Sequence, residues 1–153
     1  MAGTLAEENP ATGRKERGTA MGVLINIDVP DIARGIAFYT QAFGLTVGRR
    51  LGAGAAELLG WEAPVYLLQN AEGSRGAGDS RRTYARHWTP IHLDVVVDDL
   101  ALALPRVIAA GAILEREARE AAWGRIANLA DPFGHGICLI EFLGRGYDEI
   151  AGS

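Results

Sequence analysis

Apolar and polar positions alternate along Thr89-Pro-Ile-His-Leu-Asp-Val-Val-Val-Asp-Asp-Leu100. Ile91, Leu93, Val95 and Val97 form one face and His92 and Asp94 project from the other, the period-two pattern of a strand packed on one side. Asp98 or Asp99 then supplies a carboxylate to cap a helix opening near Leu100. The same pattern occurs earlier, in Leu24-Ile-Asn-Ile-Asp-Val-Pro-Asp31-Ile-Ala. Ile25 matches Leu93, Val29 matches Val97, Asp31 matches Asp99, Ile32 matches Leu100 and Ala33 matches Ala101, at a constant offset of 68. The chain therefore reads as two copies of one unit.

In the first copy Val23, Ile25, Ile27 and Val29 make the apolar face of a strand over 23–29, with Leu24, Asn26 and Asp28 on the other face. Ile32, Ile36, Tyr39 and Phe43 recur at helical spacing, and Gly44 ends that helix as a left-handed cap. Three short strands follow at 45–51, 55–59 and 65–69, separated by Gly52-Ala-Gly54 and Gly60-Trp-Glu-Ala-Pro64. In the second copy a helix spans 100–110 and stops at Gly111, and strands are predicted at 112–118, 123–130 and 136–143. Pro105 lies inside that helix, where it removes a backbone hydrogen bond, so a kink or a late helix start is expected. Each copy is βαβββ. The resulting division is an N-terminal arm (1–20), a first module (21–70), a linker (71–88), a second module (89–143) and a tail (144–153).

The arm has charge, Gly and Pro but almost no large apolar residue, so it is expected to be flexible. The linker is rich in Gly, Ser and Arg. It reads first as a solvated connection, and its arginines give it a second reading as a lid over an anion. Tyr147 and Ile150 are the tail residues able to pack back on the body. Of the 153 residues 48% are hydrophobic and 22% charged, at a net charge of −4, the composition of a globular chain without an electrostatic footprint for nucleic acid. The single Cys138 excludes an internal disulfide and fits a reducing compartment. No apolar run reaches the length of a membrane span, and no membrane partner is expected; the expected location is cytoplasmic.

The two βαβββ units, the strand-Asp-helix opening of each and the closing Asp131-Pro-Phe-Gly-His-Gly-Ile-Cys-Leu resemble the vicinal oxygen chelate superfamily. That superfamily includes glyoxalase I, bleomycin-resistance proteins, fosfomycin-resistance enzymes and extradiol dioxygenases. The resemblance covers 23–143. It implies an α+β fold in which both modules form a cupped, eight-stranded mixed sheet, with one helix per module on the convex side and a cleft on the concave side. It also implies metal ligands on the first and last strand of each module, which here are Leu24, Tyr66, His92 and Cys138. Only His92 is a ligand of the expected kind. Glu141 lies an odd number of residues from Cys138 and points to the opposite face. No cofactor is therefore expected, and a divalent metal held by His92 with Asp94 or Cys138 is the alternative.

Other readings compete for the same residues. His92-Leu-Asp94 with His135 has the composition of an iron facial triad, but a double βαβββ chain leaves no room for the fold that usually carries it. His92 and Asp94 equally suit a satisfied polar cleft. His87 and His92 are an odd interval apart and face opposite ways. Gly52-Ala-Gly54 is a turn without the helix that a dinucleotide fingerprint requires. Cys138 is either a nucleophile beside His92 or, more in keeping with its residue type, an inert buried thiol. Trp61, Trp88 and Trp123 flank strand ends, and with Tyr66, Leu68 and Phe142 they imply an aromatic, apolar cleft with a polar patch. The candidate ligand-binding residues are Asn26, Asp28, Tyr66, Leu68, His92, Asp94 and Cys138. Two functions follow: sequestration of an aromatic or partly apolar small molecule without metal, or a metal-dependent lyase or dioxygenase using His92. A homodimer is expected because open sheets of this size leave edges to be covered.

Overall fold

The computed structural model describes residues 22–152, so the arm expected over 1–20 lies outside the described residues. The first module runs β1 (Ile25–Val29), α1 (Ile32–Phe43), β2 (Thr46–Arg50), β3 (Ala55–Leu59) and β4 (Val65–Gln69). The second runs β5 (Leu93–Val96), α2 (Leu100–Ala109), β6 (Ile113–Ala121), β7 (Gly124–Ala130) and β8 (Gly136–Phe142), followed by a 3-10 turn at Gly146–Glu149. The strands form two four-stranded mixed sheets, ordered β1-β4-β3-β2 and β5-β8-β7-β6. In each, the first strand pairs in parallel with the last, and the remaining pairs are antiparallel. The α+β architecture of two βαβββ modules is thus the one expected. The eight strands are hydrogen-bonded as two sheets of four, with one apolar core beneath both.

The repeat extends to the helix starts. Asp31 accepts a hydrogen bond from the Arg34 N–H at 2.9 Å, and Asp99 accepts one from Leu102 at 3.0 Å. Each side chain satisfies one of the donors that a helix start leaves unpaired. The last strand of each module supplies a second acceptor, Gln69 Oε1 for the Ile32 N–H at 2.9 Å and Glu141 Oε2 for the Leu100 N–H at 3.0 Å. Glu141 therefore faces the helix, on the opposite side from Cys138. Gly44 ends α1 at φ 69°, a left-handed value that suits a residue without Cβ.

Alternation decides which side chains enter the core. Ile27 and Val29 of β1, Val65 and Leu67 of β4, and Ile137 and Leu139 of β8 are buried against Phe38, Tyr39 and Ala42 of α1 and Leu100, Ala103 and Val107 of α2. Asn26, Asp28, Tyr66 and Leu68 leave the opposite faces of β1 and β4. Leu24 is 58% exposed.

Three local expectations are corrected. The strand predicted from Ile91 begins only at Leu93, and Ile91 is 85% exposed. Pairing with β8 starts at Leu93↔Ile137, so the residues before it have no ladder partner. Val23 is likewise 71% exposed because the β1–β4 register begins at Ile25↔Val65. Helix α2 neither starts late nor is interrupted at Pro105. Pro105 is exposed, which leaves the carbonyl deprived of its N–H partner accessible to water. Tyr147 packs back as expected, with its ring 4.7 Å from Phe142 and 5.2 Å from Trp123, whereas Ile150 is exposed. No helix among the described residues is long and apolar enough to cross a membrane.

Candidate functional site

A cavity of about 760 Å³ opens between the modules. Asn26 and Asp28 of β1 and Leu68 of β4 line it from module 1, and His92, Phe133 and His135 line it from module 2. The linker forms its rim through Arg82, Thr83, Ala85 and His87, continued by Thr89 and Ile91 at the start of module 2. Four of the predicted residues, Asn26, Asp28, Leu68 and His92, thus come together. Asp94 lines a neighbouring cavity of about 430 Å³ with Ile25, Trp61 and Val96.

Two linker arginines are held to the modules by ion pairs. Arg82 Nε donates to Asp28 Oδ2 at 2.7 Å, and Asn70 Nδ2 donates to Asp28 Oδ1 at 2.7 Å. Arg86 bonds both carboxylate oxygens of Glu115 on β6. Those contacts lower the Glu115 pKa and raise that of Arg86. The segment is a strap fastened to both modules, and Asp28 is one of its anchors. Arg82 was visible in the sequence as a lid arginine; its partner was not, because the pair spans 54 positions.

On module 1, Tyr66 belongs to a closed network. Its hydroxyl donates to Glu57 Oε1 at 2.7 Å, Arg49 Nε donates to Glu57 Oε2 at 3.0 Å, and Arg49 Nη2 reaches the Tyr66 oxygen at 3.0 Å. Hydrogen bonds from Arg49, then from Tyr66, lower the Glu57 pKa from its ordinary 4.5 to about 2. The bond to Glu57 raises that of Tyr66. Sequence reasoning missed Glu57 and Arg49. The available signal was a lone charge within Ala-Ala-Glu-Leu-Leu, at the position paired with Tyr66.

On module 2, His92 Nε2 lies 3.1 Å from Asp94 Oδ1, and Asp94 stands opposite Cys138 in register. Asn128 Nδ2 donates to Cys138 Sγ at 3.0 Å, and Arg119 Nη1 donates to Asn128 Oδ1 at 2.7 Å. Burial, reinforced by the hydrogen bond to Asp94, pushes the Cys138 thiol from 9.0 up to about 11. A buried thiol held in that state suits the inert reading, since the thiolate is the nucleophile. The Trp88 ring lies 5.0 Å from His92. The Nδ1 atom of His92 is buried and has no hydrogen-bond partner among the described residues.

His135 is tied to Asp131 and not to the His92–Asp94 pair. Asp131 is 1% exposed and accepts from His135 Nδ1 at 2.7 Å, from the His135 and Phe133 backbone N–H groups at 2.9 and 2.8 Å, and from the Tyr39 hydroxyl at 2.8 Å. Burial and the Asp131 charge raise the Tyr39 pKa well above its ordinary value. The Asp131 carboxylate thereby joins the β7–β8 turn of module 2 to α1 of module 1.

Two βαβββ modules enclosing a cleft define the class of glyoxalase and bleomycin-resistance folds. The chain belongs to the glyoxalase-like family, whose domain model matches residues 24–140, and through it to the vicinal oxygen chelate superfamily. Among solved structures it is similar to a glyoxalase/bleomycin resistance protein/dioxygenase family enzyme from Burkholderia phytofirmans PsJN. The two share 23% identity over 78% of this chain and 97% of that one, with a TM-score of 0.62. It is also similar to the fosfomycin resistance protein FosX from Listeria monocytogenes, in a mutant form complexed with Mn(II) and 1S,2S-dihydroxypropylphosphonic acid. That match has 15% identity over 88% of this chain and 100% of the other, with a TM-score of 0.65. TioX from Micromonospora sp. ML1 matches at 20% identity, 81% and 100% coverage and a TM-score of 0.61. At these identities the structural likenesses establish the fold. No curated protein matches the chain.

The superfamily's metal can be tested against the residues at its four positions. Leu24 has no donor atom, the Tyr66 hydroxyl is committed to Glu57, and the Cys138 thiol is held protonated. His92 remains. Donor atoms of His92, Asp94 and Cys138 do lie within 4.8 Å of one another, but Asp94 is already the acceptor for both neighbours. A hard cation needs several oxygen ligands, and this set does not fit one.

Proposed function

We propose that this chain binds a partly apolar, planar small molecule in the cleft between its modules, without a resident hard cation. The observation carrying this reading is the cavity of about 760 Å³, which sets Leu68, Ile91 and Phe133 beside Asn26 and His92. Its size and mixed lining suit a small organic ligand held by apolar contact and oriented by a few polar groups. Sequestration, as in the resistance branch of the superfamily, needs nothing more. A thermal-shift screen of aromatic and heteroaromatic compounds tests it. A binder at a hundred times its Kd stabilises the fold by about 2.7 kcal/mol, and His92→Ala should remove most of that gain. Stabilisation unaffected by His92→Ala and by Leu68→Ala would place binding elsewhere and defeat the reading.

The grouping of His92, Asp94 and Cys138 supports a second reading, a metal-dependent enzyme with a softer cation of the zinc class. Such an ion would have to displace the thiol proton, so its binding would release a proton and strengthen as pH rises. For assembly we propose a homodimer, because β2 and β6 are sheet edges. Light scattering at micromolar concentration tests it, and a clean monomer would refute it.

A further inference from the structure

The two cavities between the modules are counterparts in the repeat. Residues 25–28 of β1 and residues 133–135 of the β7–β8 turn line the larger one. The offset of 68 carries 25–28 onto 93–96 of β5, and the offset of 72 that matches Tyr66 with Cys138 carries 133–135 onto Trp61, Glu62 and Ala63. Those are the residues that line the cavity of about 430 Å³. One feature separates the pair. The strap contributes Arg82, Thr83, Ala85 and His87 to the larger cavity, and no such segment lines the smaller among the described residues.

The walls of the smaller cavity are apolar and acidic. Val96 is 58% exposed, whereas its counterpart Asp28 is half-buried and paired with Arg82. From Trp61 and Val96 the opening runs on into a cavity of about 350 Å³ beside Asp98 and Leu102, and Leu102 is 75% exposed. Neither Glu62 nor Asp98 takes part in an ion pair among the described residues. The cation that lines this stretch, Arg106, donates its Nε to the Ala42 carbonyl. Strand β5 is also a sheet edge, a feature that proteins commonly cover with a loop or a helix.

The chain before β1 holds the sequence position that the strap holds before β5. At the offset of 68, Arg82, Thr83, Ala85 and His87 fall on Arg14, Lys15, Arg17 and Thr19. Arg14-Lys-Glu-Arg17 sets three basic groups against one acidic group, the charge opposite to that of Glu62 and Asp98. The described chain begins at Gly22, close to Ile25, which lines both cavities. At up to about 3.5 Å per residue, Lys15 can lie as far as about 35 Å from Ile25. Residues 93–99 occupy only about 20 Å, so the segment is long enough to follow them.

We propose that residues 14–19 dock across the smaller cavity along β5, as the strap crosses the larger along β1, with their basic groups set against Glu62 and Asp98. The arm is then a second strap, and the larger cavity is the one left open to ligand. This goes beyond the cleft-binding reading and does not depend on it.

Lys15 is the only lysine of the chain, so carbodiimide cross-linking of the full chain reports where that residue rests. The test uses an equal mixture of 14N- and 15N-labelled chains at micromolar concentration, with the amide links mapped by mass spectrometry. Lys15 should join Glu62 or Asp98 at least about tenfold more often than the exposed Asp79 or Glu117, and within chains of one isotope. Replacing Arg14 and Arg17 with Gln leaves the tether unchanged and should lower that yield about threefold or more, which proximity alone would not do. Links spread evenly over the exposed carboxylates, or a yield unchanged by the two substitutions, overturn the proposal. Links that join the two isotopes overturn it in favour of an arm exchanged between copies.

Discussion

The concave faces of the two modules carry the same construction with different side chains. Arg49, Glu57 and Tyr66 in module 1 correspond to Arg119, Asn128 and Cys138 in module 2, and in each trio an arginine donates to the β3 or β7 side chain, which contacts the last strand. The difference is where the carboxylate stands. In module 1 it is Glu57, at the centre of the trio, and it saturates both neighbours. In module 2 the centre is the neutral Asn128, and the carboxylate has moved to Asp94 on the first strand, where His92 becomes its partner. Module 1 thus closes on itself, whereas module 2 ends in an imidazole whose Nδ1 is buried and, among the described residues, unpartnered.

The largest expected effect concerns the link between the halves. Asp131 stands where module 1 has only Gly60, and it receives the Tyr39 hydroxyl across the modules. Asp131→Ala strands that hydroxyl and two backbone N–H groups, and should cost about 3–5 kcal/mol in urea unfolding. Tyr39→Phe should cost about 1–2 kcal/mol. A small loss for both would mean that the modules do not depend on this joint.

The trios come next. Raising the Cys138 thiol from 9.0 to about 11 cuts its thiolate fraction near pH 8 about a hundredfold, so native protein should react with a disulfide reagent at least that much more slowly than unfolded chain. Because the folded pKa is the higher one, the stability contributed by this thiol is fully present below pH 9 and is lost as pH rises through 11. Rapid labelling of the native state would refute the inert thiol. Glu57 has the opposite sign: its folded pKa is depressed, so its contribution is present above pH 4.5 and is lost as pH falls through 2. Acid unfolding of Glu57→Gln should take up about one proton fewer across that window. An unchanged proton count would show that the Arg49 and Tyr66 contacts do not hold in solution. Arg119→Ala, at an exposed position, should change stability by less than about 1 kcal/mol. A larger loss would give the module 2 trio a structural weight equal to that of module 1.

Most of the fold was legible because strand alternation and helix capping are local. Asp31 and Asp99 announce both helices, and the 68-residue offset announces the repeat. What failed were the strand starts at Val23 and Ile91, whose apolar character fits the alternation although the ladders begin later, at Ile25 and Leu93. The site was legible in part. Parity put His92, Asp94, Tyr66 and Cys138 on concave faces, but it could not show that Tyr66 is tied to Glu57 or that Asp28 is claimed by Arg82. Nor could it reveal the service of Asp131 to Tyr39, 92 positions away. Those are long-range pairings that depend on register and loop path, which alternation does not encode.

The central claim is that the cleft holds organic ligand and not a resident cation. Elemental analysis of the full chain, purified without chelator or added metal, tests it most directly. The account predicts less than about 0.1 equivalent of Mg, Mn, Fe, Ni or Zn per chain, and the same content in His92→Ala. About one tightly bound ion per chain, lost in that substitution, would contradict it and make the metal-dependent enzyme the better reading.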